Sequence, residues 1–155
     1  MIDFQGPFQE GLNAYHDTVR AKAEIERVIR EFSDQLKAAS EGAILEVRVA
    51  VHEDVVREEG SWLGVGLRVK YESLVAFAKA TADDPEPSRS LCKFRMSAHG
   101  YPVGLVYADI DVQCHDRTSL EQSLADLLKH PDTGAKLAQL MSTASVPATP
   151  NSPTE

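Results

Sequence analysis

The first quarter of the chain has a helical pattern of hydrophobic positions that forms two separate stripes. Between Phe8 and Ala39 there is no proline, and no glycine after Gly11, which predicts one long helix. At about 100° per residue the apolar positions fall on two faces roughly 140° apart. The early stripe contains Phe8, Leu12, Tyr15, Val19 and Ala23, and the late stripe contains Ala21, Ile25, Val28, Phe32, Leu36 and Ala39.

Two apolar stripes on one helix require two partners. The sheet of the same domain can cover one stripe. The other can pack on the C-terminal helices of the same chain or on a second copy of it, and a kink is not expected without an internal glycine or proline. We favour the second copy, which makes Phe8, Leu12, Tyr15 and Val19 a homodimer interface.

Beyond residue 43 the hydrophobic period changes to two residues, which is typical of half-buried antiparallel strands. The alternation continues through AILEVRVAVHED, WLGVGLRVKY, LCKFRMSA and a last strand that includes YADIDVQCHD. Glycine- and proline-containing connections separate these runs. The segment 72–79 suits either a strand or a short helix, and we favour a strand. The pattern predicts a meander of about four strands.

The C-terminal part returns to helical periodicity. TSLE predicts a helix capped by Thr118, with Glu121 completing a capping box, and DTGAKLAQLM predicts a second, shorter helix. The last residues, 142–155, contain three prolines and one large apolar residue, which predicts a disordered tail. The fold class is therefore α+β: a single domain over 1–141 with a long N-terminal helix on an antiparallel sheet, followed by a C-terminal helical hairpin.

Composition and charge narrow the function classes. The formal net charge of −8 argues against direct nucleic-acid binding, which depends on lysine and arginine contacts to phosphates, and it suits a basic protein partner. No apolar run is long enough to cross a bilayer, and the start MIDFQGPFQEGL lacks the features of a signal peptide. We therefore expect a cytoplasmic protein that does not bind membranes.

The stretch YADIDVQCHD, residues 107–116, concentrates the groups that bind metals or move protons. As one strand, its even positions, including Cys114, face the core, and the odd positions Asp109, Asp111 and His115 face outward. Cys114 is then separated from the carboxylates. The other cysteine, Cys92, has no metal-ligand spacing. We predict no metal site, no catalytic group and no cofactor.

Outward positions of the strands predict a charged recognition surface instead. Arg95 and its neighbour Lys93 should pair across strands with Asp109 and Asp111. The only tryptophan lies at the rim of this surface, where it can act as a binding anchor. The predicted partner-binding residues are Trp62, Arg68, Lys70, Arg95, Asp109, Asp111 and His115.

These features favour a non-enzymatic protein that binds another protein, such as an inhibitor, immunity-type protein, chaperone or adaptor. The order of elements resembles, as architecture alone, the cystatin-like folds and the small acidic dimeric chaperones of bacterial secretion systems. The alternative is an enzyme or small-molecule-binding protein with a pocket between helix and sheet. A large pocket lined by His52, Asp109 or His115 would favour the alternative, and an exposed apolar helix stripe would favour protein binding.

Overall fold

The computed structural model describes residues 1–56 and 66–145. The elements, in chain order, are α1 (Gln5–Ala39), β1 (Ile44–Val56), β2 (Leu67–Ala78), β3 (Ser88–Ser97), β4 (Gly100–Tyr107), β5 (Ile110–Cys114), α2 (Arg117–Lys129) and α3 (Pro131–Ser145). The predicted α+β class is confirmed. The strand prediction for residues 72–79 is also confirmed, because β2 continues to Ala78.

The strands form one antiparallel meander in the order β1-β2-β3-β4-β5. There are five strands because the last predicted strand folds into a tight hairpin. Ala108 has a φ of 50°, a left-handed conformation found in turns, and Tyr107 pairs directly with Ile110. YADIDVQCHD is therefore not one strand. Before the turn the core face is odd-numbered, so Tyr107 is buried, whereas Val106 is exposed.

The helices pack on one face of the sheet, here called the inner face, and leave the other, outer face uncovered by described helices. The late stripe of α1 supplies core residues, as the pattern predicts: Ile25, Val28, Phe32 and Leu36 are buried. In β2 the core positions are the even-numbered Leu74, Ala76 and Ala78. The alternation in WLGVGLRVKY, where Leu67, Val69 and Tyr71 are apolar, predicts instead that the odd-numbered positions of this strand face the core, and that prediction is wrong.

The helix α1 first meets the body of the protein at Ala21, where it crosses the turn between β3 and β4. Gly100 lies in this turn with a φ of +99°, and a Cβ built on it would stand 2.8 Å from Ala21 Cβ. Immediately after it, the Tyr101 hydroxyl donates a hydrogen bond of 2.7 Å to Glu24 Oε1. A glycine is needed here both for its backbone conformation and for the close approach of the helix.

We expect Gly100→Ala to destabilise the fold by about 1–3 kcal/mol, because the substitution combines backbone strain with a steric clash. Gly42→Ala is the matched control. Gly42 also has a positive φ, +82°, but a Cβ there meets nothing within 4 Å. In urea unfolding, the midpoint of Gly100→Ala should lie at a lower urea concentration than the midpoint of Gly42→Ala. Equal midpoints would show that the contact with Ala21 contributes nothing.

The helix α2 begins two residues earlier than the sequence predicts, with Asp116 as the N-cap in place of Thr118. The backbone N–H of Ser119 donates to Asp116 Oδ1 at 2.7 Å, and the backbone N–H of Asp116 donates to Ser119 Oγ at 3.1 Å. The hydrogen bonds that Ser119 donates to the carboxylate, first the one from its backbone N–H, hold the pKa of the Asp116 carboxyl below its ordinary value. The helix α3 ends at Ser145, past the predicted end at Met141, and the rest of the predicted tail, 146–155, lies outside the described residues.

Candidate protein-binding surfaces

The first half of α1, Gln5–Arg20, extends away from the sheet and is called here the projecting half-helix. Its sixteen residues span about 24 Å at 1.5 Å per residue. Phe8 is 67% exposed, Tyr15 63%, Val19 48% and Leu12 39%. The packed half of α1 provides the helix nucleus, so the projecting half-helix continues an existing helix without a new nucleation cost.

No described element covers the early stripe. The helix α2 packs on α1 farther along, where Val28 and Phe32 share the buried core with Leu124, and Leu128 packs against it. Among the described residues, the C-terminal helices are therefore not the second partner that the stripe requires.

A groove of about 570 Å³ runs between α1 and β1. Ile25, Ile29 and Ser33 line its helix side, and Phe94 and Met96 lie at its base. Charges of both signs surround it, contributed by Glu26, Arg30, Asp34, Lys37, Glu46, Arg48 and Glu72. The groove is open and carries no dominant charge, so it does not have the electrostatic character of an anion or metal site.

On the outer face, aromatic rings and cations of the first three strands pack against one another. The His52 ring stacks on Tyr71 at 5.1 Å and its Nε2 lies 2.6 Å from Ser73 Oγ. Lys93 Nζ lies 5.6 Å from the Tyr71 ring centroid. The guanidinium of Arg48 stands 4.2 Å above the Phe77 ring, at a distance typical of cation–π contacts.

The pair of His52 and Ser73 does not form a nucleophilic site. Ser73 is fully buried, so a substrate cannot reach its hydroxyl, and no described carboxylate forms an ion pair with His52. A serine nucleophile requires an accessible hydroxyl and an oriented base. The contact therefore stabilises the packing of β1 on β2.

The predicted partner-binding residues do not share one surface. Arg95 and Asp111 lie on the outer face, but Arg68 and Lys70 have the strand parity of Leu74 and lie on the inner face. Asp109 is in the turn before β5, and His115 is exposed between β5 and α2. Trp62 lies outside the described residues.

The predicted cross-strand pairs of Lys93 and Arg95 with Asp109 and Asp111 are also wrong. The extra strand explains this, because Val106 of β4 pairs with Lys93 on one side and with Asp111 on the other. Two strand spacings, about 10 Å, then separate the charges.

The described residues contain no group of three or more histidine, cysteine, aspartate or glutamate side chains placed to hold a metal ion. Cys92 and Cys114 are free and buried. Burial raises the pKa of the Cys92 thiol to about 12 and also raises the pKa of the Cys114 thiol. Neither is a thiolate at neutral pH, which a cysteine nucleophile or metal ligand must be.

One important contact was not predicted from the sequence. The Ser33 hydroxyl, buried on α1, accepts a 2.8 Å hydrogen bond from the backbone N–H of Val47 in β1. A serine at a position close to the late stripe is the only sequence signal of this contact. This hydrogen bond connects α1 to the edge strand of the sheet. It also shows that the backbone N–H of Val47 points away from β2.

Comparison of the chain with protein-family models, curated proteins and solved structures finds no match. Within the residues that the structure describes, no helix is both long enough and apolar enough to cross a membrane.

Proposed function

We propose that this chain is a cytosolic, non-enzymatic protein that forms a homodimer and binds another protein, as an adaptor, chaperone, inhibitor or immunity-type protein does. The observation that carries this proposal is the exposed early stripe on the projecting half-helix. Monomeric proteins rarely leave a contiguous apolar surface of this kind uncovered, and such surfaces usually mark interaction sites.

The size of the early stripe suits a helical dimer interface. Phe4, with 73% of its surface exposed, extends the stripe by one turn. From their exposed fractions, these large side chains together offer roughly 500 Å² of surface. Stable interfaces bury about 800 Å² on each partner, so the stripe by itself supplies more than half of that area.

The position of the charges on the projecting half-helix allows two early stripes to meet, although the net charges of two copies repel. The net charge of −8 makes two copies repel each other at long range. The carboxylates of the projecting half-helix, Glu10 and Asp17, lie about 180° around the helix from the stripe. Two stripes can therefore meet without bringing these like charges together.

A second candidate function is small-molecule binding in the groove between α1 and β1, whose volume falls in the range of ligand pockets. The groove does not contain His52, Asp109 or His115, which the sequence suggests as polar groups for a ligand. An open groove with mixed charges gives less support to this function than the early stripe gives to protein binding.

Affinity capture from a cytosolic extract, followed by native mass spectrometry of the purified chain, separates the two functions. We expect the wild-type chain to retain a second protein at near-stoichiometric amount and to carry no small molecule. Arg95→Glu with Asp111→Lys tests whether the outer face takes part, and Arg89→Glu, which changes an exposed residue elsewhere on β3, is the control. Retention of a metabolite and of no protein would contradict the proposal.

A further inference from the structure

The two edges of the sheet differ in length and in protection. β5 has only 5 residues and leads directly into α2. β1 has 13 residues, contains no proline or lysine, and pairs only with β2 among the described strands. Proteins commonly protect edge strands with short length, proline, lysine or a bulge. In β1 the irregularity lies at the beginning, between Ile44 and Glu46, and the strand beyond it is protected only by charged side chains, such as Glu53.

The contact with Ser33 identifies the backbone groups that β1 leaves free. In an antiparallel pair, successive residues direct their N–H and C=O groups alternately toward the partner strand and away from it. The Val47 N–H points away from β2, because it reaches Ser33 Oγ on α1. The same side of β1 therefore presents the groups of Val49, Val51, Glu53 and Val55, and no described group outside β1 bonds to them.

The inner face beside this free edge presents exposed apolar side chains. The helix α1 runs beside β1, and the 570 Å³ groove lies between them. Val51 is 65% exposed and Val55 is 59% exposed, and both have the parity of the inner face. The groove reaches β1 only from Leu45 to Val49, so an extended chain on the edge would place every second side chain beside Val49 and these valines.

We infer that the free edge of β1, from Val49 to Val55, binds an extended segment of another protein as an additional antiparallel or parallel strand. Backbone hydrogen bonds supply the affinity in this mode of recognition, and alternate side chains supply the specificity. On the inner face this edge presents apolar side chains at Val49, Val51 and Val55 and a charged one at Glu53, which suits a segment with apolar residues at alternate positions. This inference rests on the proposed protein-binding function and names its site and the chemistry of its partner.

Selection from a displayed library of random peptides about twelve residues long, with the full chain as bait, tests the inference without knowledge of the natural partner. We expect enrichment of sequences with alternating apolar residues. Val51→Pro removes an edge N–H that faces away from β2, a place where a sheet tolerates proline. It should weaken binding of the selected peptides about tenfold or more, whereas Val51→Ala, which keeps the N–H, should weaken it less.

Amide hydrogen exchange of the labelled chain gives the second readout. In the free chain the amides of Val49, Val51, Glu53 and Val55 should exchange rapidly, and those of the intervening residues, bonded to β2, slowly. A selected peptide should slow only the first set. Absence of enriched peptides, or binding that leaves these amides unprotected, would overturn the inference.

Two other occupants of the edge would also overturn it. Protection of the edge amides that rises with the concentration of the chain alone would identify a second copy. Protection in the free chain that is lost when residues 146–155 are removed would identify the C-terminal segment of this chain. The proposed function and the edge inference are contradicted by different results. The proposed function is contradicted when the cytosolic capture retains no protein. The edge inference is contradicted when a protein is retained but leaves the edge amides unprotected.

Discussion

The double variant Leu12→Asp with Val19→Asp should sediment as a 17.0 kDa monomer, whereas the wild-type chain should sediment at twice that mass at micromolar concentration. Each substitution places a carboxylate in the middle of the early stripe, where association would have to bury it without a partner. Burying an unpaired charge costs several kcal/mol, which is enough to abolish a dimer of micromolar affinity, whose free energy is about 8 kcal/mol.

The monomer itself should keep its stability in this variant, because Leu12 and Val19 are exposed and do not belong to the core. Asn13→Asp with Ala14→Asp is the matched control. It adds the same charge to the same part of the helix, between Leu12 and Val19, but at positions about 130° from the stripe. A wild-type monomer, or equal dissociation of the variant and its control, would exclude the early stripe as the dimer interface.

Leu105→Ala should destabilise the fold by about 2–5 kcal/mol, and Val106→Ala should change it by less than about 1 kcal/mol. Leu105 is fully buried in the centre of the sheet, and its neighbour Val106 is 37% exposed on the outer face. Truncation of Leu105 removes buried methyl groups and leaves a cavity, whereas truncation of Val106 removes atoms that already contact water. Urea unfolding of both variants measures the difference.

This pair of variants also distinguishes the two descriptions of the last strands. If residues 107–116 formed one strand with an even-numbered core face, Val106→Ala would be the more damaging substitution. If the hairpin turn at Ala108 and Asp109 is present, Leu105→Ala is the more damaging one. A larger loss of stability in Val106→Ala would therefore contradict the five-stranded sheet.

The hairpin was not predictable from the alternation of polar and apolar residues. Ala108 and Asp109 lack the glycine or asparagine–glycine signal that usually marks a two-residue turn. Both sides of the turn alternate with period two, so the change of parity between Tyr107 and Ile110 leaves no interruption in the pattern. The pairing of β4 with β5 reveals it, because directly opposed residues share a face.

The inner and outer faces of β2 show a related limit. In the first half of the strand the apolar positions are odd-numbered: Leu67, Val69 and Tyr71. In the second half, which the helices cover, the core positions are even-numbered: Leu74, Ala76 and Ala78. A period of two identifies two faces but not which one the helices cover. For this reason the sequence pattern places Arg68 and Lys70 on the same surface as Arg95 and Asp111, whereas in the structure the two pairs lie on opposite faces of the sheet.

The sequence by itself determined the elements whose signal is local: the continuous helix α1 with its two stripes and the antiparallel strands of the α+β fold. Helical and strand periods depend on residues a few positions apart, so one chain segment is sufficient to show them. The tertiary structure decided which stripe is packed, which face of each strand is buried and which edge of the sheet stays open. These properties depend on contacts between distant segments, such as Ser33 with Val47.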